Sequence, residues 1–225
     1  MAAESNKTLG VIFDLDGVLV DSYQAHYESW RRLAAEQGFE YSREQFAATF
    51  GRTSRDILSH HWMKPLSADQ VAAADDRKEE LYRQIIRQDF PIMPGGPELV
   101  HSLHRAGFLL AVGSSAPPAN VELSIELLGL RDVFGAVVTG RDVQRGKPDP
   151  QVFLLAAERL GLAPAACAVV EDAPAGVAAG RAGGMTVIAL TGTATRQQLA
   201  AADLMVDRLD ELSPARLQKL LLAVR

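Results

Sequence analysis

From about residue 91 to its C-terminus this chain alternates short apolar runs with segments of helical periodicity, and few folds satisfy that pattern. Apolar runs at 108–112, 136–139, 166–170, 185–190 and 204–206 are too short for buried helices and read as strands. Between them the helical signals recur. Pro97 suits a first helical position, Leu99, Val100 and Leu103 form one face, and Gly107 is a stop. Further helices are expected through Leu128, over 150–160 with Gly161 as the stop, over 175–182, and over 214–224. Strand–helix repetition of this kind predicts an α/β fold, a Rossmann-like parallel sheet core covered by helices on both faces.

A first strand precedes this region by some 80 residues (Leu9, Val11, Ile12 and Phe13), and what lies between has no strand pattern. Ser22 is positioned to cap a helix carrying Tyr23, Tyr27, Trp30 and Leu33 or Ala34, stopped by Gly38. A second helix is expected from Ser67 through Ile86, with Leu81 and Ile85 on its apolar face. The expected organisation is therefore an α/β core domain from 1–21 and 91–225, with an inserted all-helical cap domain at 22–90.

The first strand ends in Asp14 and Asp16, where alternation puts both carboxylates on one side. Unpaired acids are costly at a buried strand end, so a partner is required, most simply a divalent cation. Ligand sites of open parallel sheets lie beyond the carboxyl ends of the strands. Ser114 with Ser115, Lys147, and Glu171 with Asp172 fall at such ends too. Acids for a cation beside hydroxyl and ammonium donors for an anion suggest Mg²⁺ and a phosphoryl group.

Singly, these elements have blander readings. Asp-X-Asp-Gly occurs in calcium loops, but here the third acid and terminal Glu are missing. Gly140 and Gly146-Lys147 miss the spacing of a phosphate-binding P-loop, and Pro148 stands where that loop needs Ser or Thr. The serines suit an ordinary turn, Lys147 a solvated surface, and Glu171-Asp172 a helix cap. Their joint placement at successive strand ends carries the functional reading.

Other classes find little support. A net charge of −5 without a basic run offers nothing to nucleic acid or an anionic membrane. The polar N-terminus is no signal peptide, and no window approaches the roughly 20 apolar residues of a membrane span. Cys167, the only cysteine, rules out an internal disulfide and reads as a buried strand residue. The expectation is a cytoplasmic protein acting on a small phosphorylated metabolite, and a monomer, since nothing demands a dimer.

The ordered set Asp14-Leu-Asp-Gly-Val-Leu-Val-Asp-Ser22, Ser114, Lys147-Pro148 and Glu171-Asp172 resembles the haloacid dehalogenase superfamily, along the whole chain and with the helical insertion in the same place. The resemblance implies Asp14 as nucleophile and Asp16 as general acid/base. It gives Ser114, Ser115 and Lys147 to the phosphoryl group. Asp14, Asp16 (through its carbonyl) and Asp172 are implied as Mg²⁺ ligands, with Glu171 in support. It also implies a cis peptide bond before Pro148.

Within the superfamily the chain is similar to the β-phosphoglucomutase-like and phosphoglycolate phosphatase-like subgroup. There His26, Arg55 (in Gly51-Arg-Thr-Ser-Arg55) and Lys78 would face substrate, with Arg52 competing for the role of Arg55. The loop Ser114-Ser-Ala-Pro-Pro118 departs from a mutase, because Pro117 has no charge and no N–H for a second phosphate. The expected activity is hydrolysis of a small phosphate monoester, a sugar phosphate or phosphoglycolate, through an aspartyl phosphate. A β-phosphoglucomutase-like sugar phosphomutase is the alternative, and a phosphate-sensing scaffold is the non-enzymatic one.

Overall fold

The computed structural model describes residues 8–49 and 52–223. The N-terminal residues read against a signal peptide, Gly51 of the predicted substrate loop, and Val224 at the expected end of the last helix lie outside the described residues. The chain divides into two compact units, Met1–Asp21 with Ile92–Arg225, and Ser22–Pro91.

The first unit is built on a six-stranded parallel sheet. In chain order it contains β1 (Gly10–Phe13), and, counting the helices after those of the second unit, α5 (Gly96–Arg105), β2 (Leu109–Gly113), α6 (Pro118–Leu128), β3 (Ala136–Val138), α7 (Gln151–Arg159), β4 (Cys167–Glu171), α8 (Pro174–Ala182), β5 (Thr186–Leu190), β6 (Leu204–Val206) and α9 (Pro214–Ala223). The strand order is β3-β2-β1-β4-β5-β6. Phe13 lies level with Val112 on one side and with Val170 on the other, so the exits of β1, β2 and β4 share one edge.

The chain winds outward from β1 in both directions, and right-handed crossovers then place the connecting helices on opposite faces. On one face Ile12, Ala111 and Val169 pack with Val152, Phe153 and Ala156 of α7 and Ala179 of α8. All four residues of β1 are buried, as an apolar run sandwiched between helix layers must be. Pro97 falls in the first turn of α5, which begins one residue earlier, at Gly96.

The second unit holds α1 (Tyr23–Glu36), α2 (Arg43–Thr49), α3 (Ser54–Asp56), a π-helical turn Ile57–His61, and α4 (Ala68–Gln88). Its core joins Trp30, Leu33, Tyr41, Phe46, Leu58, Trp62 and Leu81. Ser67 caps α4 as expected, in a reciprocal capping box with Gln70. Ser22 does not cap α1: its own backbone is helical, so the hydroxyl makes no capping bond. The apolar face of α4 also differs from the expectation, since Ile86 is fully buried and Ile85 only partly so. Lys78 lies on the buried side of the same helix.

Candidate active site

The site is assembled from three strand ends and one loop of the sheet unit. Beyond β1 the chain folds tightly: the Gly17 N–H donates to Val20 O at 2.7 Å, and the N–H groups of Leu19 and Val20 converge on Leu15 O. The Asp14 N–H donates to Val170 O at 2.9 Å, extending the β1–β4 ladder by one residue and fixing Asp14 beside the exit of β4. Gly17 has φ 78°, and any Cβ there would fall on the Asp172 carboxylate. The glycine of the Asp-X-Asp-Gly run therefore serves both the turn and the close approach of Asp172.

Lys147 ties the acids together. Its Nζ lies 2.9 Å from Asp14 Oδ1 and 2.7 Å from Glu171 Oε1, and 4.7 Å from the centroid of the Phe153 ring. The peptide bond from Lys147 to Pro148 is cis. Glu171 Oε2 accepts the backbone N–H groups of Asp172 and Ala173, both at 2.8 Å. Oxygens of Asp14, Glu171 and Asp172 lie within 4.8 Å of one another, and all three residues are buried.

Three buried carboxylates thus share one ammonium. Burial, reinforced by Glu171 and Asp16 against the opposing pull of Lys147, pushes the Asp14 carboxyl up to about 7. Burial and the charges of Glu171 and Asp14 likewise hold Asp172 well above the ordinary carboxylate range. For Lys147, burial works against the charged form, yet Asp14 and Glu171 outweigh it and keep the ammonium firmly protonated. Negative charge is in excess, and this donor set fits a hard divalent cation with oxygen ligands. Glu171 is the least free of the three to coordinate one, since both of its oxygens are already engaged.

Ser114 is buried at the exit of β2, its N–H on Val138 O at 3.0 Å. Its Oγ accepts the Ala116 N–H at 3.0 Å, which leaves the hydroxyl proton to donate elsewhere. Ser115 is exposed in the same loop. Asp16 is half-buried and forms a parallel bridge with Val20. Thr193, in the loop after β5, hydrogen-bonds Asp172 and was not singled out from the sequence. The available signal was Thr191-Gly-Thr193 directly following a strand, at the edge where ligands bind. Cys167 is fully buried in β4, and burial pushes its thiol up to about 11, away from nucleophilic use.

The three residues expected to face substrate lie in the helical unit. Lys78 Nζ is buried, 2.9 Å from His26 Nδ1 and 2.9 Å from Glu79 Oε1, and Ser54 donates to the same Glu79 oxygen at 2.8 Å. The His26 ring stacks on Tyr82 with centroids 4.2 Å apart. Burial opposes ionisation of Glu79, but Lys78 and His26 outweigh it and hold the acid below its usual value. Arg55 is not part of this cluster: it is largely exposed, 3.7 Å from Asp75. Arg52 pairs instead with Asp56, at 3.0 Å.

A family model described as haloacid dehalogenase-like hydrolase matches residues 8–184. Hexitol phosphatase A of Escherichia coli (strain K12) is 37% identical over 206 residues, covering 91% of this chain and 93% of that protein. The β-phosphoglucomutase of Bacillus subtilis (strain 168) is 30% identical over 210 residues, covering 90% of this chain and 91% of that protein. Among solved structures, a β-phosphoglucomutase from Clostridium difficile has the same fold, with TM-score 0.85 at 24% identity over 97% of this chain and 100% of its own. Among the described residues no helix is long and apolar enough to cross a membrane.

Proposed function

The chain belongs to the haloacid dehalogenase-like hydrolases, and on that premise we propose that it is a cytoplasmic, Mg²⁺-dependent phosphatase of small phosphate monoesters, sugar or polyol phosphates foremost. One observation carries the reading: Lys147 Nζ sits 2.9 Å from Asp14 Oδ1 at the exit of β1, among carboxylates whose charge it only partly offsets. Asp14 and Asp172, with the Asp16 carbonyl, are assigned to Mg²⁺, and Glu171 supports them. When bound, the cation offsets the repulsion between the Asp14 carboxylate and a phosphate dianion.

Lys147 and the Ser114 hydroxyl hold the phosphoryl oxygens, and Asp14 attacks phosphorus. A bond forms from the Asp14 oxygen to phosphorus while the bond to the ester oxygen breaks, and Asp16 delivers its proton to the departing alkoxide. Asp16, now ionised, takes a proton from water, whose oxygen attacks the phosphorus of the aspartyl phosphate. Asp14 leaves as a carboxylate with inorganic phosphate as product. Ser115 is assigned a secondary part in phosphate binding through its loop.

His26 and Lys78 are assigned to substrate recognition, supported by their pairing at 2.9 Å, which couples a titratable ring on α1 to a cation on α4. Arg55, mostly exposed, is assigned to a distal anionic group of the substrate.

Hydrolysis is preferred over phosphomutase activity because the loop after β2 has few donors to spare. Pro117 and Pro118 have no N–H, and the Ala116 N–H is taken by Ser114 Oγ. The likeness to hexitol phosphatase A puts hexitol phosphates in the screen and the likeness to β-phosphoglucomutase adds glucose 1-phosphate, run with and without glucose 1,6-bisphosphate. Release of inorganic phosphate from monoesters, dependent on Mg²⁺ and indifferent to the bisphosphate, is the expected result. Turnover of glucose 1-phosphate that requires the bisphosphate would establish the mutase instead.

A further inference from the structure

Helix α8 reads Pro174-Ala-Gly-Val-Ala-Ala-Gly-Arg-Ala182, and in so alanine-rich a segment its two glycines need a reason. A glycine inside a helix costs roughly 1 kcal/mol relative to alanine. Neither Gly176 nor Gly180 has a left-handed backbone, so conformation does not require them.

Gly180 is explained by packing, because a Cβ there would lie 2.7 Å from Val187 Cγ2, pressing the helix off β5. Gly176 is different. A Cβ there would fall on the carboxylate of Glu171, on Oε1, Cδ and Oε2 alike. The volume a side chain would fill is occupied by the acid that holds Lys147 at 2.7 Å and the N–H groups of Asp172 and Ala173 at 2.8 Å. Glu171 is 1% exposed, so its carboxylate has no solvent-side alternative.

We propose that Gly176 is a positioning residue: the side chain it lacks is the space in which Glu171 turns back to grip Lys147 with one oxygen and the Asp172 backbone with the other. This rests on the assignment of Lys147 to phosphate. A methyl group at 176 drives the Glu171 carboxylate out of its place. Lys147 then loses one of its two anchors, and the two N–H groups of the turn that presents Asp172 lose their shared acceptor. Ala at a helical position ordinarily raises stability; here it lowers it.

The test is a cycle of Gly176→Ala and Glu171→Asp, with Gly180→Ala as a packing control. Each protein is measured for unfolding temperature and, by calorimetry with Mg²⁺ present, for its Kd for inorganic phosphate. Gly176→Ala should weaken phosphate binding about tenfold or more, the scale of a lost charge-assisted hydrogen bond, and lower the unfolding temperature. In the Glu171→Asp background, where the acid is one methylene shorter, the same change should leave Kd within about twofold and raise the unfolding temperature. Gly180→Ala should lower the unfolding temperature while phosphate binding stays near wild type.

If Gly176→Ala fails to fold, the comparison of the double variant with Glu171→Asp alone still decides. Phosphate affinity unchanged by Gly176→Ala, or an equal loss in both backgrounds, would overturn the inference. Failure of the underlying reading looks different: the wild-type protein would take up no phosphate, which ends the role in phosphate binding, while the reversal in unfolding temperature would persist.

Discussion

Each unit of this protein buries a lysine against carboxylates, and the two lysines differ in what surrounds them. In the helical unit Lys78 is matched by Glu79, beside His26 and Ser54, and the nearby Asp75 is matched by Arg55. Glu79 is accordingly held below its usual value. In the sheet unit Lys147 faces Asp14, Glu171 and Asp172, and burial leaves Asp14 at about 7 with Asp172 raised as well. A cluster whose charges balance calls for no added counter-ion. One left with excess negative charge calls for a cation, and this surplus supports the proposed reacting centre better than burial does, which both clusters share.

The largest effect expected from breaking the contrast comes at Asp14. Asp14→Asn removes the carboxylate proposed to attack while keeping the shape, and should lower turnover of an aryl phosphate by about 10³-fold or more, roughly 4 kcal/mol of barrier, with the unfolding transition intact. Activity close to wild type would remove Asp14 from the chemistry.

Next come the two lysines, compared directly. Lys147→Met and Lys78→Met each leave buried carboxylate charge without its counter-ion, a loss of about 3 kcal/mol by analogy with other buried pairs. Chemical denaturation with and without Mg²⁺ separates them. Mg²⁺ should restore part of the stability lost in Lys147→Met and none of that lost in Lys78→Met. Equal recovery in both variants would erase the distinction between the clusters.

What could be read from the sequence follows the same division. The strands were legible because a strand buried on both faces must be an unbroken apolar run, as 10–13 and 167–170 are. Asp14, Asp16, Glu171 and Asp172 were legible because acids interrupt such runs at their ends. The burial of Lys78 was harder to see. It follows Val71 and Ala74 at helical spacing, but a lysine on a charged helix is ordinarily solvated, and only the packing of α4 against α1 decides otherwise. Thr193 was legible only as a residue just past a strand end, because its hydrogen bond to Asp172 depends on where the loop after β5 comes to rest. Gly176 was half legible: its oddness stands in the sequence, but the carboxylate that explains it comes from the end of the preceding strand.

The most direct test of the uncompensated charge is thermal unfolding of wild type and Asp172→Asn with and without Mg²⁺ across pH. Without metal, Asp14 keeps its proton up to about 7 in the folded protein against 3.8 ordinarily, so the folded state binds the extra proton between these values. Stability without metal should therefore fall as pH rises through that window, being fully present only below it. Mg²⁺ binds the ionised carboxylates, so it should raise the unfolding temperature of the wild type clearly near pH 8, weakly near pH 5, and little at either pH in Asp172→Asn. A wild-type protein whose unfolding is indifferent to Mg²⁺ near pH 8, or an Asp172→Asn variant that gains as much as wild type, would contradict a centre built around excess negative charge.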